Sequence, residues 1–200
     1  MLKAVLTGGI ATGKSYVLAK LRQQGVPTLD ADDLVHGILK AGTKTSKAIG
    51  ETFGSEFLKS DGSVDRERLG AMVFRDSERR RQLEALTHPV VYEAIRSWYL
   101  GLNGPVGMVS VPLLYETGRE RDFDFVAVTY CTPEEQLKRL VLRDRMEEEQ
   151  ALRRIAAQLP AAEKASRADF VVDTSSSFES TDRQIESLLV AINHKLRDGC

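Results

Sequence analysis

The segment at the N-terminus constrains the fold more than any other part of the chain. Residues 8–15 read Gly-Gly-Ile-Ala-Thr-Gly-Lys-Ser and fit G-x-x-x-x-G-K-[ST], the pattern of a phosphate-binding loop. The apolar run at 4–6 predicts a buried strand before the loop, and apolar residues at helical spacing over 17–21 predict a helix after it. A loop between a strand and a helix directs backbone N–H groups and the positive end of the helix at one point, which suits phosphate oxygens.

Four residues of this loop have separate expected roles. Gly8 and Gly13 permit backbone angles and close approach that a Cβ would prevent. Lys14 can reach the β- and γ-phosphates of a nucleotide, and the Ser15 hydroxyl can hold Mg²⁺. The alternative is an ordinary glycine-rich turn with an accidental Lys-Ser pair, but the flanking strand and helix favour a nucleotide site.

Short apolar segments alternate with helical patterns along the rest of the chain. This alternation predicts an α/β fold in which a parallel five-stranded sheet with right-handed crossovers is flanked by helices. Ligands of such sheets bind at the carboxyl ends of the strands. The remaining predicted strands are 28–29, 106–111, 125–130 and 170–172.

Residues 41–104 differ from this pattern because they are mostly helical, charged and broken by glycine-rich turns. Asp61-Gly62 is a predicted turn, and Asp65 is a predicted N-cap. His88-Pro89 is expected to interrupt or begin a helix, since a residue before proline is held extended. We interpret the region as a helical insert that covers one side of the sheet.

Composition narrows the functional classes. The 200 residues suffice for one α/β domain, and a formal net charge of -1 with only 6% aromatic residues argues against nucleic-acid binding. The cysteines Cys131 and Cys200 lie far apart and are expected to be free thiols of a reducing, cytoplasmic compartment. The N-terminus runs directly into the first strand and no apolar run approaches about 20 residues, so neither a signal peptide nor a membrane span is expected.

Candidate groups for chemistry lie outside the loop as well. Asp32 follows the second predicted strand, where a carboxylate could orient a hydroxyl and accept its proton, or where it could simply favour the start of a helix. Arg139 and Arg143 could stabilise a transferred phosphoryl group or form a solvated charged face. His88 could bind substrate or have a structural role.

Taken together, these motifs resemble those of the dephospho-coenzyme A kinase family, which are P-loop kinases of the nucleoside-monophosphate-kinase type. The phosphate loop alone would indicate only a superfamily, whereas Thr-His-Pro and Val-Pro-Leu-Leu-Tyr-Glu are specific to this family. The resemblance covers nearly the whole chain. Its motifs outside the loop are 30–32 with His36, 61–66, 73–74, 86–89, 111–116, 136–139, 143–144, 154–158 and 168–169.

The resemblance implies phosphorylation of the ribose 3′-hydroxyl of dephospho-coenzyme A, with ATP and Mg²⁺, in a protein that is a monomer or a weak homo-oligomer. It implies a core of 1–40, 105–137 and 166–200, a coenzyme-binding insert of 41–104 and a lid of 138–165. The implied catalytic residues are Asp32 as base, Lys14, the lid arginine Arg139 and Thr7; the ATP contacts are Gly8, Gly9, Ala11, Thr12, Gly13, Lys14, Ser15, Tyr16 and Arg139; the substrate contacts are Asp32, His88 and Leu114; and the metal ligand is Ser15.

The chain departs from the family pattern at four positions. Ala11 stands where glycine is usual, which is tolerable if its φ is negative, and Tyr16 stands where threonine is usual. Ser110 replaces a frequent aspartate, which leaves Ser15 and water as the expected Mg²⁺ ligands. Thr174 replaces a frequent asparagine, so adenine contacts there are not defined.

Other functions remain open at this point. The nearest is another kinase of the same architecture that acts on a nucleotide or a shikimate-like alcohol, and the helical insert is where the two would differ. A GTP-binding switch protein would need a guanine-reading Asn-Lys-x-Asp element, which does not occur. A non-catalytic nucleotide-binding module is a third alternative, against which Lys14, Ser15 and Asp32 together argue.

Overall fold

The computed structural model describes residues 1–198, which form two compact units. Met1–Leu29 and the chain from Leu102 onward make up the first unit, and Asp30–Gly101 makes up the second. The predicted roles of 41–104 in coenzyme binding and of 138–165 as a lid stay predictions. Cys200 lies outside the described residues, whereas Cys131 is buried and has a free thiol, the pKa of which is raised by burial.

The first unit contains a five-stranded sheet. Its strands are β1 (Leu2–Gly8), β2 (Thr28–Asp30), β3 (Val106–Ser110), β4 (Phe125–Tyr130) and β5 (Phe170–Asp173). Their order is β2-β3-β1-β4-β5, with β3 and β4 parallel to the central β1, and β5 parallel to β4. All but one of the residues of β1 after Leu2 are buried, as expected for a strand that is covered on both faces. The predicted parallel α/β sheet is therefore confirmed.

Helices surround this sheet and form most of the second unit. In chain order they are α1 (Lys14–Gln23), α2 (Ala31–Ile38), α3 (Lys44–Phe53), α4 (Arg66–Arg75), α5 (Ser77–Leu100), α6 (Pro133–Asp144), α7 (Glu148–Ala156), α8 (Ala161–Ser166) and α9 (Phe178–Asp198). Within residues 1–198, none of the helices combines the length and apolar character that a membrane span requires.

One face of the sheet packs against α1 and α9. Leu6 of β1 and Met108 of β3 share a core cluster with Leu21 of α1 and with Leu188 and Ile192 of α9. Alternate residues of β1 point to the opposite face, where α8 packs against β4 and β1. Helix α6 has a side-chain N-cap, because Thr132 Oγ1 accepts a hydrogen bond from the N–H of Glu135 at 3.3 Å.

The second unit has its own small core. Ile49, Phe53 and Leu69 are buried there with Leu39 and Val64. The expected turn at 61–62 is present, because the Ser63 N–H donates to Asp61 Oδ1 at 2.8 Å and Gly62 has a φ of +82°. The expected N-cap is also present, because Asp65 Oδ1 accepts from the N–H of Arg68.

The expected break at His88-Pro89 is wrong. Helix α5 continues through both residues, so His88 is helical rather than extended. A proline inside a helix removes one hydrogen bond and crowds the preceding turn. In α5 the burial of Thr87, Val91 and Ile95 along one side favours a continuous helix and outweighs that local cost.

Candidate active site

The phosphate loop lies between the end of β1 and the start of α1, as the sequence predicts. Gly8 is the last residue of β1, and Lys14 is the first residue of α1. Gly13 occupies the N-cap position with a left-handed φ of +89°. The N-terminus of α1, with the positive end of the helix dipole, is therefore next to the loop and favours an anion there.

Two glycines are required by their neighbours as well as by conformation. A Cβ on Gly8 would lie 2.3 Å from Thr129 Oγ1 and 2.5 Å from the carbonyl oxygen of Thr129. A Cβ on Gly13 would lie 3.2 Å from Thr174 Cγ2, and the positive φ of this residue already disfavours a side chain. The sequence prediction for both glycines is therefore confirmed.

Ala11 contradicts the expectation of a negative φ. Its φ is +59°, in the left-handed region, where an L-residue with a Cβ is disfavoured by roughly 1–2 kcal/mol. Such a conformation persists only where its surroundings impose it. Arg139 Nη1 donates to the Ala11 carbonyl at 3.1 Å and so helps to hold this peptide.

The side chains of Lys14 and Thr12, which are themselves part of the loop, donate hydrogen bonds to its carbonyl groups. Lys14 Nζ donates to the carbonyl oxygens of Gly8 at 3.0 Å and of Gly9 at 2.9 Å, so the ammonium group lies across the loop. Thr12 is fully buried, and its hydroxyl donates to the carbonyl of Gly9 and contacts the Thr129 hydroxyl at 2.8 Å. Ser15 follows with an exposed side chain.

Arg139 contacts the outer side of the loop from the middle of α6. Its guanidinium donates through Nε to Glu135 and through Nη1 to Ala11 O and to Thr174 Oγ1. Nη2 donates to the Thr174 carbonyl at 2.5 Å. Four of the five N–H groups of Arg139 are thus bonded to protein acceptors. Arg143, by contrast, is exposed and pairs with its neighbour Asp144 through two hydrogen bonds of 2.7 and 3.0 Å.

Two of the residues that depart from the family pattern have defined hydrogen-bond partners. Thr174 Oγ1 donates to Thr12 O at 2.9 Å, so the residue that replaces asparagine supports the phosphate loop. The other departure, Tyr16, is held by α9. Its hydroxyl donates to Asp182 Oδ1 at 2.7 Å, and this hydrogen bond raises the pKa of the Tyr16 phenol. Lys20 binds the other oxygen of Asp182 and holds the pKa of that carboxyl below its usual range.

Asp32 lies in the first turn of α2 with an exposed side chain. The sequence leaves open whether Asp32 serves as a base or favours the start of the helix. The capping carboxylate is that of Asp30, whose Oδ1 accepts from the N–H of Asp32 at 3.1 Å. The carboxylate of Asp32 is therefore not the N-cap.

The other predicted site residues lie in varied surroundings. His88 packs edge-on against Tyr92 within the second unit, with ring centroids 6.2 Å apart. Leu114 is fully buried, as is Thr7, which donates to the Pro112 carbonyl at 3.3 Å. Ser110 is the last residue of β3 and is also buried. These positions leave the predicted roles of His88, Leu114 and Thr7 untested.

Sequence reasoning assigned no role to a buried ion pair in the first unit. Lys164 of α8 is 0% exposed, and its Nζ lies 2.7 Å from Glu116 Oε1 and 3.0 Å from the Pro112 carbonyl. Pro112 O thus accepts from both Lys164 and Thr7. Beside the pair, Tyr115 is buried under the Arg167 guanidinium, 4.2 Å from the ring centroid, and burial raises the pKa of its phenol to about 12. The sequence marked Glu116, because it lies in the family motif 111–116, but no sequence pattern pairs it with Lys164.

A parallel sheet with a phosphate loop after its central strand, and an arginine bound to that loop, define the chain as a P-loop protein of the kinase type. Residues 3–180 match the family model described as CoaE, dephospho-CoA kinase. A dephospho-CoA kinase of Anaeromyxobacter dehalogenans is 46% identical over 187 residues, which are 92% of this chain and 89% of the relative. The chain therefore belongs to the dephospho-CoA kinase family, which catalyses the last step of coenzyme A biosynthesis.

Solved structures agree with this membership. The protein TT1252 of Thermus thermophilus is 32% identical with a TM-score of 0.84, over 94% of this chain and 96% of that chain. A dephospho-CoA kinase from Campylobacter jejuni is 28% identical with a TM-score of 0.71, over 95% and 96% of the two chains. The chain is thus a kinase, and the alternatives of a switch protein and of a non-catalytic module are wrong.

The left-handed conformation of Ala11 generates a stability prediction. We expect Ala11→Gly to raise the free energy of unfolding of the ligand-free protein by about 0.5–1 kcal/mol, because relief of the left-handed strain exceeds the added entropy of glycine in the unfolded chain. The same substitution at Ala85, which is exposed inside α5, is expected to lower stability by about 1 kcal/mol. Urea unfolding of both variants measures the difference, and a loss of stability in Ala11→Gly comparable to that in Ala85→Gly would contradict the prediction.

Proposed function

We propose that this chain transfers the γ-phosphoryl group of ATP to the ribose 3′-hydroxyl of dephospho-coenzyme A, giving coenzyme A. The observation that carries the proposal is the phosphate loop with Lys14 and Ser15, in a chain that matches the family model over residues 3–180. We expect the enzyme to be cytoplasmic and a monomer or weak homo-oligomer, with dephospho-coenzyme A as its small-molecule partner.

In this proposal the loop binds the phosphates of ATP. The N–H groups at the start of α1, with the positive end of the helix dipole, favour the anionic oxygens. Lys14 Nζ exchanges its contacts with the carbonyls of Gly8 and Gly9 for contacts with the β- and γ-phosphates. Its charge then stabilises the negative charge that spreads over the transferred phosphoryl group.

The residues present fit a magnesium ion that is held mainly by ATP and water. Ser15 has an exposed side chain in the first turn of α1, while residues 1–198 contain no cluster of three His, Cys, Asp or Glu side chains that could hold a metal ion. Mg²⁺ usually keeps several waters and takes one or two protein ligands with substrate phosphates, so the Ser15 hydroxyl suffices. Bound there, the ion would neutralise charge on the β- and γ-phosphates.

For substrate binding we propose residues that lie in the family motifs. His88 and Leu114 are the residues we expect to contact dephospho-coenzyme A, with the helices of 41–104 covering the coenzyme and 138–165 closing over ATP. Thr7, near the end of β1, is proposed as a further catalytic residue. These assignments rest on the positions of the residues in the family motifs.

The proposed activity has a direct test. Incubation with ATP, Mg²⁺ and dephospho-coenzyme A should yield a product heavier by one phosphoryl group, identified as coenzyme A by mass spectrometry. We expect Lys14→Ala to lower kcat by on the order of 10²- to 10³-fold with an unchanged melting temperature, because it removes charge that acts on the transition state. Wild-type kcat/KM in Lys14→Ala would show that the loop is not the catalytic phosphate site.

Asp32 is the proposed general base. We expect Asp32→Asn to lower kcat by on the order of 10²-fold with nearly unchanged ATP affinity, because it keeps the shape of the side chain but removes the proton acceptor. The N-cap is supplied by Asp30, so stability should hardly change. Asp33→Asn is the matched control, since Asp33 is the next exposed acid of the same helical turn.

Kinetics, ATP affinity and melting temperature are measured on one preparation of each variant. Near-normal turnover in Asp32→Asn, or an equal loss in Asp33→Asn, would mean that the base lies elsewhere. A loose phosphoryl-transfer transition state demands little of a base, so part of the expected loss reflects positioning of the hydroxyl.

Arg139 is the proposed arginine for the ATP phosphates. We expect Arg139→Ala to lower kcat by on the order of 10³-fold, because it removes a charge beside the loop and the donors to Ala11 O and Thr174. Arg143→Ala, which removes only a pair with Asp144, should remain close to wild type. Parallel kinetics on the two variants decide between them, and equal or reversed losses would identify Arg139 as the wrong arginine.

A further inference from the structure

Two glutamines hold the phosphate loop on either side of one residue, Ile10. Gln158, between α7 and α8, accepts a hydrogen bond through Oε1 from the N–H of Ile10 at 2.7 Å. Gln136, in α6, donates through Nε2 to the carbonyl of Ile10, also at 2.7 Å. Gln136 is 3% exposed, so its amide is committed to this contact in a buried site. The two successive peptide groups of Ile10 are thus each bonded to a different glutamine.

The peptide held by Gln158 also carries an acceptor for Lys14. The Ile10 N–H and the Gly9 carbonyl belong to one trans peptide, so they point in opposite directions. With its N–H bound to Gln158, this peptide presents Gly9 O to the other side, where Lys14 Nζ donates to it at 2.9 Å. Gln158 is therefore linked to the Lys14 ammonium group through a single peptide.

The peptide held by Gln136 carries the N–H of Ala11. Its carbonyl is bound to Gln136, so the N–H of Ala11 must point away from α6. The next residue, Ala11, has the strained φ of +59°. A Cβ on Gly9 would lie only 2.7 Å from Gln136 Nε2, so the absence of a side chain at position 9 allows the glutamine amide to reach the loop.

Packing alone does not fix this part of the loop. A cavity of about 290 Å³ lies beside it and is lined by Gly9, by Gln136 and Gln158 and by apolar side chains that include Ile155 and Leu159. Because the cavity leaves Gly9 without close packing on that side, hydrogen bonds contribute to the orientation of the neighbouring peptides.

We infer that Gln136 and Gln158 are positioning residues for ATP, which orient the two peptides of Ile10 and thereby direct the Ala11 N–H and the Lys14 ammonium group towards the nucleotide phosphates. This inference rests on the proposed function, since it assumes that ATP binds at the loop. The two glutamines act in opposite senses, Gln136 as a donor and Gln158 as an acceptor.

Because one glutamine donates and the other accepts, the same two substitutions should affect ATP affinity in opposite order at positions 136 and 158. Glutamate keeps an acceptor oxygen but lacks the N–H donor, and methionine has a similar length but neither group. At pH 8, where an introduced carboxylate is ionised, Gln158→Glu should bind ATP more tightly than Gln158→Met. Gln136→Glu should bind ATP more weakly than Gln136→Met, because a carboxylate would face the Ile10 carbonyl.

The expected loss of ATP affinity in each variant is that of one buried hydrogen bond. Gln158→Met and Gln136→Met should each weaken ATP binding roughly tenfold, as measured by calorimetry without the acceptor substrate. In steady-state kinetics the KM for ATP should rise while the KM for dephospho-coenzyme A stays unchanged. Gln24→Glu, an exposed position at the far end of α1, controls for added charge and should match wild type.

The outcomes separate the inference from the activity on which it rests. If glutamate ranks below methionine at both positions, charge and not hydrogen bonding explains the losses, and the inference fails. It also fails if wild type turns over normally and all four variants bind ATP with wild-type affinity. If wild type itself neither binds ATP nor forms coenzyme A, the proposed function fails. Should Gln136→Glu not fold, Gln136→Met and the pair at position 158 still decide the matter.

Discussion

Three successive carbonyl groups of the phosphate loop accept hydrogen bonds from side chains outside it, and the nucleotide site depends on this arrangement. Ile10 O is bound by Gln136, Ala11 O by Arg139 and Thr12 O by Thr174. Because each peptide is planar, fixing its carbonyl also fixes the direction of the N–H of the following residue. The donors are thus oriented before a ligand arrives, and a preorganised site has little reorganisation to undergo when phosphate binds.

The side chains that impose this geometry come from distant parts of the chain. They lie in α6 and after β5, and Gln158, between α7 and α8, adds a contact to the N–H of Ile10. The sheet order β1-β4-β5 brings these segments beside the loop. The segment between α7 and α8 is attached twice, through Gln158 to Ile10 and through the N–H of Leu159 to Glu116. The C-terminal part of the predicted lid is therefore bonded to the phosphate loop and to the segment that follows β3, within the same unit.

The sequence predicted the elements well because their signals are local. The glycines and Lys14-Ser15 define the loop, and the apolar runs predicted all five strands to within about two residues at each end. Local rules failed at Pro89, where burial along α5 outweighs the proline, and at Ala11, whose backbone angle is imposed by its neighbours. Gln158 could not be given a role, because its partner Ile10 is 148 residues away and no periodic pattern links the two.

Because Lys164 is completely buried, its amine is unreactive towards reagents in solution while the protein is folded. An acylating reagent needs access to the nitrogen, and Lys164 Nζ is enclosed between Glu116 and the carbonyl of Pro112. Modification at this position can proceed only in molecules in which α8 has separated from the sheet, so its rate reports the free energy of that local opening. Lysines with exposed side chains, such as Lys138, react in the closed state and provide an internal reference within the same chain.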